Sequence, residues 1–158
     1  MNSIISVVGP ASCTEQQADL AMAVGTMLAE QGAIVVCGGR GGVMEAACKG
    51  ADSAGGITVG ILPGSDSSEG NPYLKIALPT GLGEARNALV ARAGQAMIAI
   101  GGSYGTLSEI ALALKAGRKV IGLETWIASD HAGKDLGLAL ARSAPEAVTM
   151  ALAGDENA

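Results

Sequence analysis

Two stretches of the chain put glycines beside groups able to hold an anion. The first reads Gly38-Gly39-Arg40-Gly41-Gly42-Val43-Met44 and the second Gly101-Gly102-Ser103-Tyr104-Gly105-Thr106-Leu107-Ser108-Glu109. Four glycines in five positions permit positive φ and let a ligand approach the backbone, and a helix beginning just beyond offers free N–H groups to a phosphate. The first stretch is not the dinucleotide fingerprint GxGxxG, because Met44 stands where the last glycine belongs, and it lacks the Lys-Ser/Thr pair of a P-loop. The plainer alternative, a tight strand-to-helix connection, is the less favoured of the two readings. The second stretch adds hydroxyls and a carboxylate at another helix start. Its Thr106 and Glu109 also spell T-x-x-E, a helix capping box that accounts for both residues without any ligand.

Arg86 calls for a different explanation. It falls in the first turn of a helix predicted over 84–93, where a cation opposes the helix dipole. Its planar fork could grip a phosphate or pair with Glu109; the plainer alternative is a solvated arginine offset by Glu84. Arg92, further along, fits packing or an ion pair, and Glu45 in a helix's first turns is favoured by the dipole alone. Tyr104 either stacks on a base or is an ordinary exposed loop tyrosine.

The frame that positions these residues is legible in the apolar runs. Segments 3–8, 33–37, 57–62, 75–78, 95–100 and 120–123 predict six strands, with a last edge strand over 137–141. The capping box Thr14-x-x-Gln17, the helical spacing of Leu20, Ala21, Val24, Met27 and Leu28, and a terminating Gly32 predict the first helix. Further helices are expected after Gly42, over 84–93, over 106–116 closed by Gly117, and over 145–152 with Pro145 in the first turn. Continuous apolar strands alternating with helices imply an α/β fold, a Rossmann-like doubly wound parallel sheet with helices on both faces. The common strand order 3-2-1-4-5-6 would put the switch point between the first and fourth strands, so that 9–12 and 79–86 line the crevice. Gly9, Ser12 and Thr80 therefore join the candidates, and the polar loop 65–72 is a candidate lid.

Composition narrows the function classes. The 158 residues suit a single nucleotide-binding domain, 1–158, and a 49% apolar chain with no Phe must build its core from Ala, Val, Ile, Leu and Met. A net charge of −5 and few aromatic side chains argue against nucleic acid as a partner. Cys13, Cys37 and Cys48 form no CxxC pair, and His131 is the sole histidine, so neither a disulfide framework nor a zinc site is expected. Reduced thiols, the lack of a charged leader in MNSIISVVGP, and no apolar run near the ~20 residues of a membrane span point to a cytoplasmic protein without a membrane partner.

Together these residues resemble the lonely guy (LOG) family, formerly labelled lysine decarboxylase, whose relatives include molybdenum-cofactor carrier proteins. The diagnostic PGGxGTxxE motif corresponds to 101–109, the preceding arginine helix to 86–92, and a GGxxGxM segment to 38–44. Gly101 replaces the motif's proline, Ser108 its first glutamate, and Asn87 the lysine that follows the arginine, which places the chain nearer the short, carrier-like branch.

The resemblance implies a homodimer or homotetramer that binds a small phosphorylated ligand, a nucleoside 5′-monophosphate or a pterin phosphate. In the hydrolase branch Arg86 and Glu109 would be catalytic, splitting the N-glycosidic bond of the monophosphate to free base and ribose 5-phosphate. Ligand contacts would come from Gly9, Ser12, Gly38, Gly39, Gly41, Gly42, Met44, Thr80, Asn87, Gly101, Gly102, Ser103, Tyr104, Gly105 and Thr106. No cofactor or metal is required for that chemistry, whereas in the carrier branch the molybdenum cofactor is itself the carried ligand. A lysine decarboxylase is not expected, since no lysine sits in a recognisable pyridoxal-phosphate setting. A third reading, a DNA-binding relative of the same Rossmann group, is opposed by the acidic charge.

Overall fold

In the computed structural model, which describes residues 1–154, the apolar runs form seven strands: β1 (Ile4–Val8), β2 (Ile34–Cys37), β3 (Thr58–Leu62), β4 (Ile76–Pro79), β5 (Ala96–Ile100), β6 (Lys119–Leu123) and β7 (Ala139–Leu140). The last residues of the expected 1–158 domain, 155–158, lie outside the described residues. Five helices alternate with the strands: α1 (Glu15–Glu30), α2 (Val43–Ser53), α3 (Asn87–Ala93), α4 (Tyr104–Lys115) and α5 (Ala144–Leu152). Every strand pairing is parallel, so the doubly wound α/β architecture expected from the sequence is the one observed.

Strand alternation divides the core in two. Along β5, Ala96, Ile98 and Ile100 face a cluster completed by α1, α2 and α5, while Met97 and Ala99 face one completed by α3 and α4. All five residues of β5 are buried, as a central parallel strand covered on both faces requires. Ser6 is the buried polar residue of β1; its hydroxyl donates to the Val90 carbonyl at 2.7 Å and accepts from the Gly94 amide at 3.0 Å, fastening α3 to the sheet.

Local signals account for the helix ends. Thr14 and Gln17 form the reciprocal capping box that opens α1, and Gly32 follows its end at φ +73°. Ser143 caps α5, with Pro145 in the first turn.

The strand order, β4-β3-β2-β1-β5-β6-β7, corrects one expectation. The fourth strand is the outer edge of the sheet, three places from β1, so the switch point lies between β1 and β5. The chain winds outward from β1 to β4, then crosses back through α3 to add β5 on the other side. The physical reason is visible in β4: Ile76 and Leu78 are about half exposed, and Lys75 and Pro79 flank or end the strand, as residues that blunt an edge do.

The loop 65–72, the candidate lid, lies against the first glycine turn. It contains a short 3-10 turn (Ser67–Glu69) and is tied to the first glycine turn, with the Asn71 amide donating to Gly39 O at 2.9 Å, the Asn71 side chain donating to Arg40 O at 3.0 Å, and Arg40 paired with Glu69 at 3.2 Å. No helix among the described residues is long and apolar enough to cross a membrane.

Candidate functional site

Where β1 and β5 diverge in their onward connections, the carboxyl ends of the strands leave a crevice, as open parallel sheets do at a switch point. A cavity of about 390 Å³ occupies it, lined by Gly9 and Ala11 after β1, Met44 on α2, Pro63 after β3, Gly83, Glu84, Arg86 and Asn87 ahead of and opening α3, and Ser103, Gly105, Thr106 and Glu109 on the α4 side. The crossover from β4 is therefore what delivers Arg86, although β4 itself stands at the edge.

Arg86 ends a 3-10 turn (Gly83–Arg86) and immediately precedes α3. Its side chain is only 12% exposed, which removes the solvated alternative. Nη1 donates to Asn87 Oδ1 and stands 4.0 Å from Glu109 Oε1, and Nη2 donates to the Gly38 carbonyl at 3.4 Å. The buried Nε has no partner. A Cβ at Gly38 would come within 2.8 Å of Nη2 and 2.9 Å of the Met44 sulfur, so the first glycine turn makes room for the guanidinium. Burial lowers the Arg86 pKa, opposed by Glu109, but an arginine stays charged over the working pH range.

Glu109 projects from the second turn of α4 and is 6% exposed. Burial raises its pKa, only partly offset by Arg86, to about 7. It is thus a carboxyl that changes charge near neutrality, able to give or take a proton or to donate a hydrogen bond.

The cap of α4 is not the Thr106 and Glu109 box. Ser103 is the N-cap, its Oγ accepting from the Thr106 amide at 3.3 Å, and the helix starts at Tyr104, two residues before the expected position. Thr106, 1% exposed, has its hydroxyl 3.0 Å from Ser103 Oγ. With the cap placed at Ser103, the Tyr104 and Gly105 amides lie ahead of the helical ladder, and the dipole favours negative charge there.

The candidates divide. Gly9, Met44, Arg86, Asn87, Ser103, Gly105, Thr106 and Glu109 meet around the cavity, whereas Ser12, Gly38, Gly39, Gly41, Gly42, Thr80, Gly101, Gly102 and Tyr104 do not line it. Thr80 is turned back on the sheet, donating to Leu62 O at 2.7 Å. Gly42 has φ +62°, and a Cβ there would strike Pro10 O and Ala11, so the first turn is packed against its own chain. Gly101 has φ +67°, a value no proline adopts, which gives the departure from the motif's proline a structural meaning.

Three features at or beside the site were not assigned to it from the sequence. Trp126 lies against the second turn, its Nε1 donating to Ser103 O at 3.0 Å. Glu84 lines the cavity as well as preceding Arg86. Cys37 and Cys48 meet under the first turn with sulfurs 3.5 Å apart, and the hydrogen bond between them together with burial pushes the Cys37 thiol up. No group of three or more His, Cys, Asp or Glu side chains among the described residues could hold a metal ion.

Comparison with known proteins adds four findings. The model of the SLOG cluster4 family matches residues 2–148. An uncharacterised protein of Archaeoglobus fulgidus is 44% identical over 120 residues, 76% of this chain and 79% of that one. Among solved structures, the molybdenum cofactor binding protein from the phototrophic bacterium Rippkaea orientalis superposes with a TM-score of 0.86 at 35% identity, covering 95% of each chain. The molybdenum cofactor carrier protein from Chlamydomonas reinhardtii does so with a TM-score of 0.81 at 34% identity, covering 95% of this chain and 96% of that one.

Proposed function

The chain belongs to the SLOG cluster4 family, and from that premise we propose that it is a carrier whose crevice between β1 and β5 holds a phosphorylated pterin, with the molybdenum cofactor as cargo. The observation that carries this reading is the Arg86 guanidinium. It is buried and fixed on Gly38 O and Asn87, yet its Nε lacks an acceptor. The residue also lines the cavity, and a guanidinium so placed pairs with phosphate oxygens through charge-assisted hydrogen bonds. The α4 amides of Tyr104 and Gly105 add donors from the other wall, and a volume of about 390 Å³ falls in the range of small-molecule sites.

The cargo's identity draws its support from the two solved relatives described as binding or carrying the molybdenum cofactor, both covered almost completely by this chain. Asn87 fits retention without cleavage: it occupies the guanidinium through its side-chain carbonyl, and supplies no second cation beside the phosphate. Glu109, protonated below about pH 7, presents an O–H donor to the ligand.

To test this, purified protein is incubated with molybdenum cofactor, freed of unbound ligand by gel filtration, and assayed for retained molybdenum and for the fluorescent oxidised pterin. Retention near one per chain is expected, reduced at least about tenfold by Arg86→Ala, since hydrogen bonds to a charged group contribute about 1.5–3 kcal/mol. Absence of retention would reject the carrier reading.

A second reading, a nucleoside 5′-monophosphate phosphoribohydrolase, is favoured by one observation: a carboxyl with a pKa of about 7 faces the arginine across the same cavity. As a carboxylate, Glu109 would take a proton from water attacking the ribose C1′ as the C1′–N bond breaks, the base leaving with the bonding pair and taking up that proton, while Arg86 holds the phosphate. Base release from a panel of nucleoside monophosphates, abolished by Glu109→Gln, would establish it. Recovery of intact ligand after prolonged incubation would leave the carrier.

A further inference from the structure

The sequence contains only three aromatic side chains, one Trp and two Tyr. Two of them stack on each other beside the cavity: the rings of Tyr104 and Trp126 lie 6.0 Å apart between centroids with planes 27° apart. Tyr104 is the first residue of α4 and sits between Ser103 and Gly105, both of which line the cavity. It is 84% exposed, so Trp126 backs one side of the phenol ring and most of the rest is open.

The indole behind it is held in place. Its Nε1 donates to Ser103 O at 3.0 Å, and a Cβ at Gly102 would lie 3.1 Å from that nitrogen and 3.3 Å from the ring's Cδ1, so glycine there lets the indole rest against the turn. The Thr125 hydroxyl donates to Gly101 O and fastens the neighbouring residue to the same turn. Neither packing nor capping accounts for Tyr104, since the ring is exposed and Ser103 already caps the helix.

We propose that Tyr104, supported by Trp126, is a stacking platform for the flat fused ring of a ligand whose phosphate is held at Arg86, so that the site takes phosphorylated planar heterocycles, pterin or purine, over phosphosugars. This rests on the Arg86 phosphate site proposed above. The exposed π-face supplies dispersion and quadrupole attraction to any flat heterocycle, and the backing indole keeps the phenol from swinging away on binding.

The sole tryptophan provides the readout. A phosphorylated pterin, guanosine 5′-monophosphate and ribose 5-phosphate are titrated into wild-type, Tyr104→Ala, Tyr104→Phe and Arg86→Ala proteins, following Trp126 fluorescence and the heat of binding. In the wild type the two heterocyclic probes quench Trp126 and ribose 5-phosphate does not. Tyr104→Ala weakens the heterocyclic probes about tenfold or more, Tyr104→Phe restores them, and ribose 5-phosphate binds alike to all three. The ratio of pterin to purine affinity identifies which ring the platform prefers.

Heterocycle binding unchanged by Tyr104→Ala overturns the proposal, as does an equal loss for ribose 5-phosphate, which would mark a structural effect. The Arg86 reading fails separately, through Arg86→Ala leaving all three probes bound as before. Absence of any binding to the wild type overturns both.

Discussion

The two glycine turns look interchangeable in the sequence and differ sharply in what they face. The first, between β2 and α2, packs mainly on its own chain: Gly42 packs on Pro10 and Ala11, Gly39 lies against Leu62, and Asn71 and Glu69 bind the backbone or side chains of residues 39–40. Its contributions to the crevice are the Met44 side chain and a carbonyl for Arg86. The second, between β5 and α4, sends Ser103, Thr106 and Glu109 into the cavity along with the Gly105 backbone. Glycine enrichment reports how closely something approaches a backbone. Whether that neighbour is protein or ligand is decided by the segment opposite, which lies far away in sequence.

The largest effect that separates the turns is expected at Gly42. Alanine there meets both a positive φ of +62° and the backbone of residues 10–11, combining strain with overpacking for a loss of about 4 kcal/mol. Urea denaturation should register that loss, while ligand retained per folded molecule stays as in the wild type. A Gly42→Ala protein of normal stability that fails to hold ligand would make the first turn a binding element and dissolve the contrast.

Glu109 gives the second turn its own signature. Its folded-state pKa, about 7, is raised above the ordinary value of 4.5, so between those pH values the folded chain binds more protons than the unfolded one. Stability of the ligand-free protein therefore falls as pH rises from about 4.5 to 7, by an amount on the order of 3 kcal/mol, and levels off above. Glu109→Gln should remove this slope and be the more stable protein at pH 8. Denaturant titrations at several pH values check it, and a slope that persists in the Gln variant would place the responsible group elsewhere.

A smaller change should follow from Arg86→Met, which keeps bulk and removes charge. The guanidinium is what lowers the Glu109 pKa against burial, so its loss moves the titration upward past 7. The midpoint of the same pH-dependent stability curve reports the direction. An unmoved midpoint would mean that the 4.0 Å pair carries no coupling.

How much of this was legible follows the range of each signal. The strands, the helices and the α1 and α5 starts rest on local periodicity and on Thr14, Gln17 and Pro145, and the structure places them within a residue or two of the expected ends, except that α3 opens at Asn87 and not at 84, because a 3-10 turn (Gly83–Arg86) takes the first residues. The position of β4 was misjudged because strand order is a tertiary property, although Lys75 and Pro79 mark an edge. Thr106 and Glu109 satisfy a capping pattern in one dimension, yet Ser103 three residues earlier wins the cap because its Oγ reaches the Thr106 amide. Trp126 was invisible as a site residue, being 22 positions from its partner Tyr104 in the numbering and joined to it only by the packing of the segment after β6 on the second turn.

The smallest effect is expected at Gly105, and its sign makes it the sharpest complement to Gly42. Gly105 is the second residue of α4, has no positive φ, and a Cβ there meets only Ser103 Oγ at an ordinary 3.7 Å. Alanine is the better helix former and restricts the unfolded chain, so Gly105→Ala should stabilise the protein by roughly 0.5 kcal/mol. The same methyl enters the wall of the cavity beside the amides assigned to the phosphate, so ligand retention should fall while the melting temperature rises slightly. One chemical change, glycine to alanine, would then destabilise without touching binding in one turn and weaken binding without destabilising in the other. Full retention in Gly105→Ala would remove the α4 amides from the phosphate site and leave Arg86 to hold the anion alone.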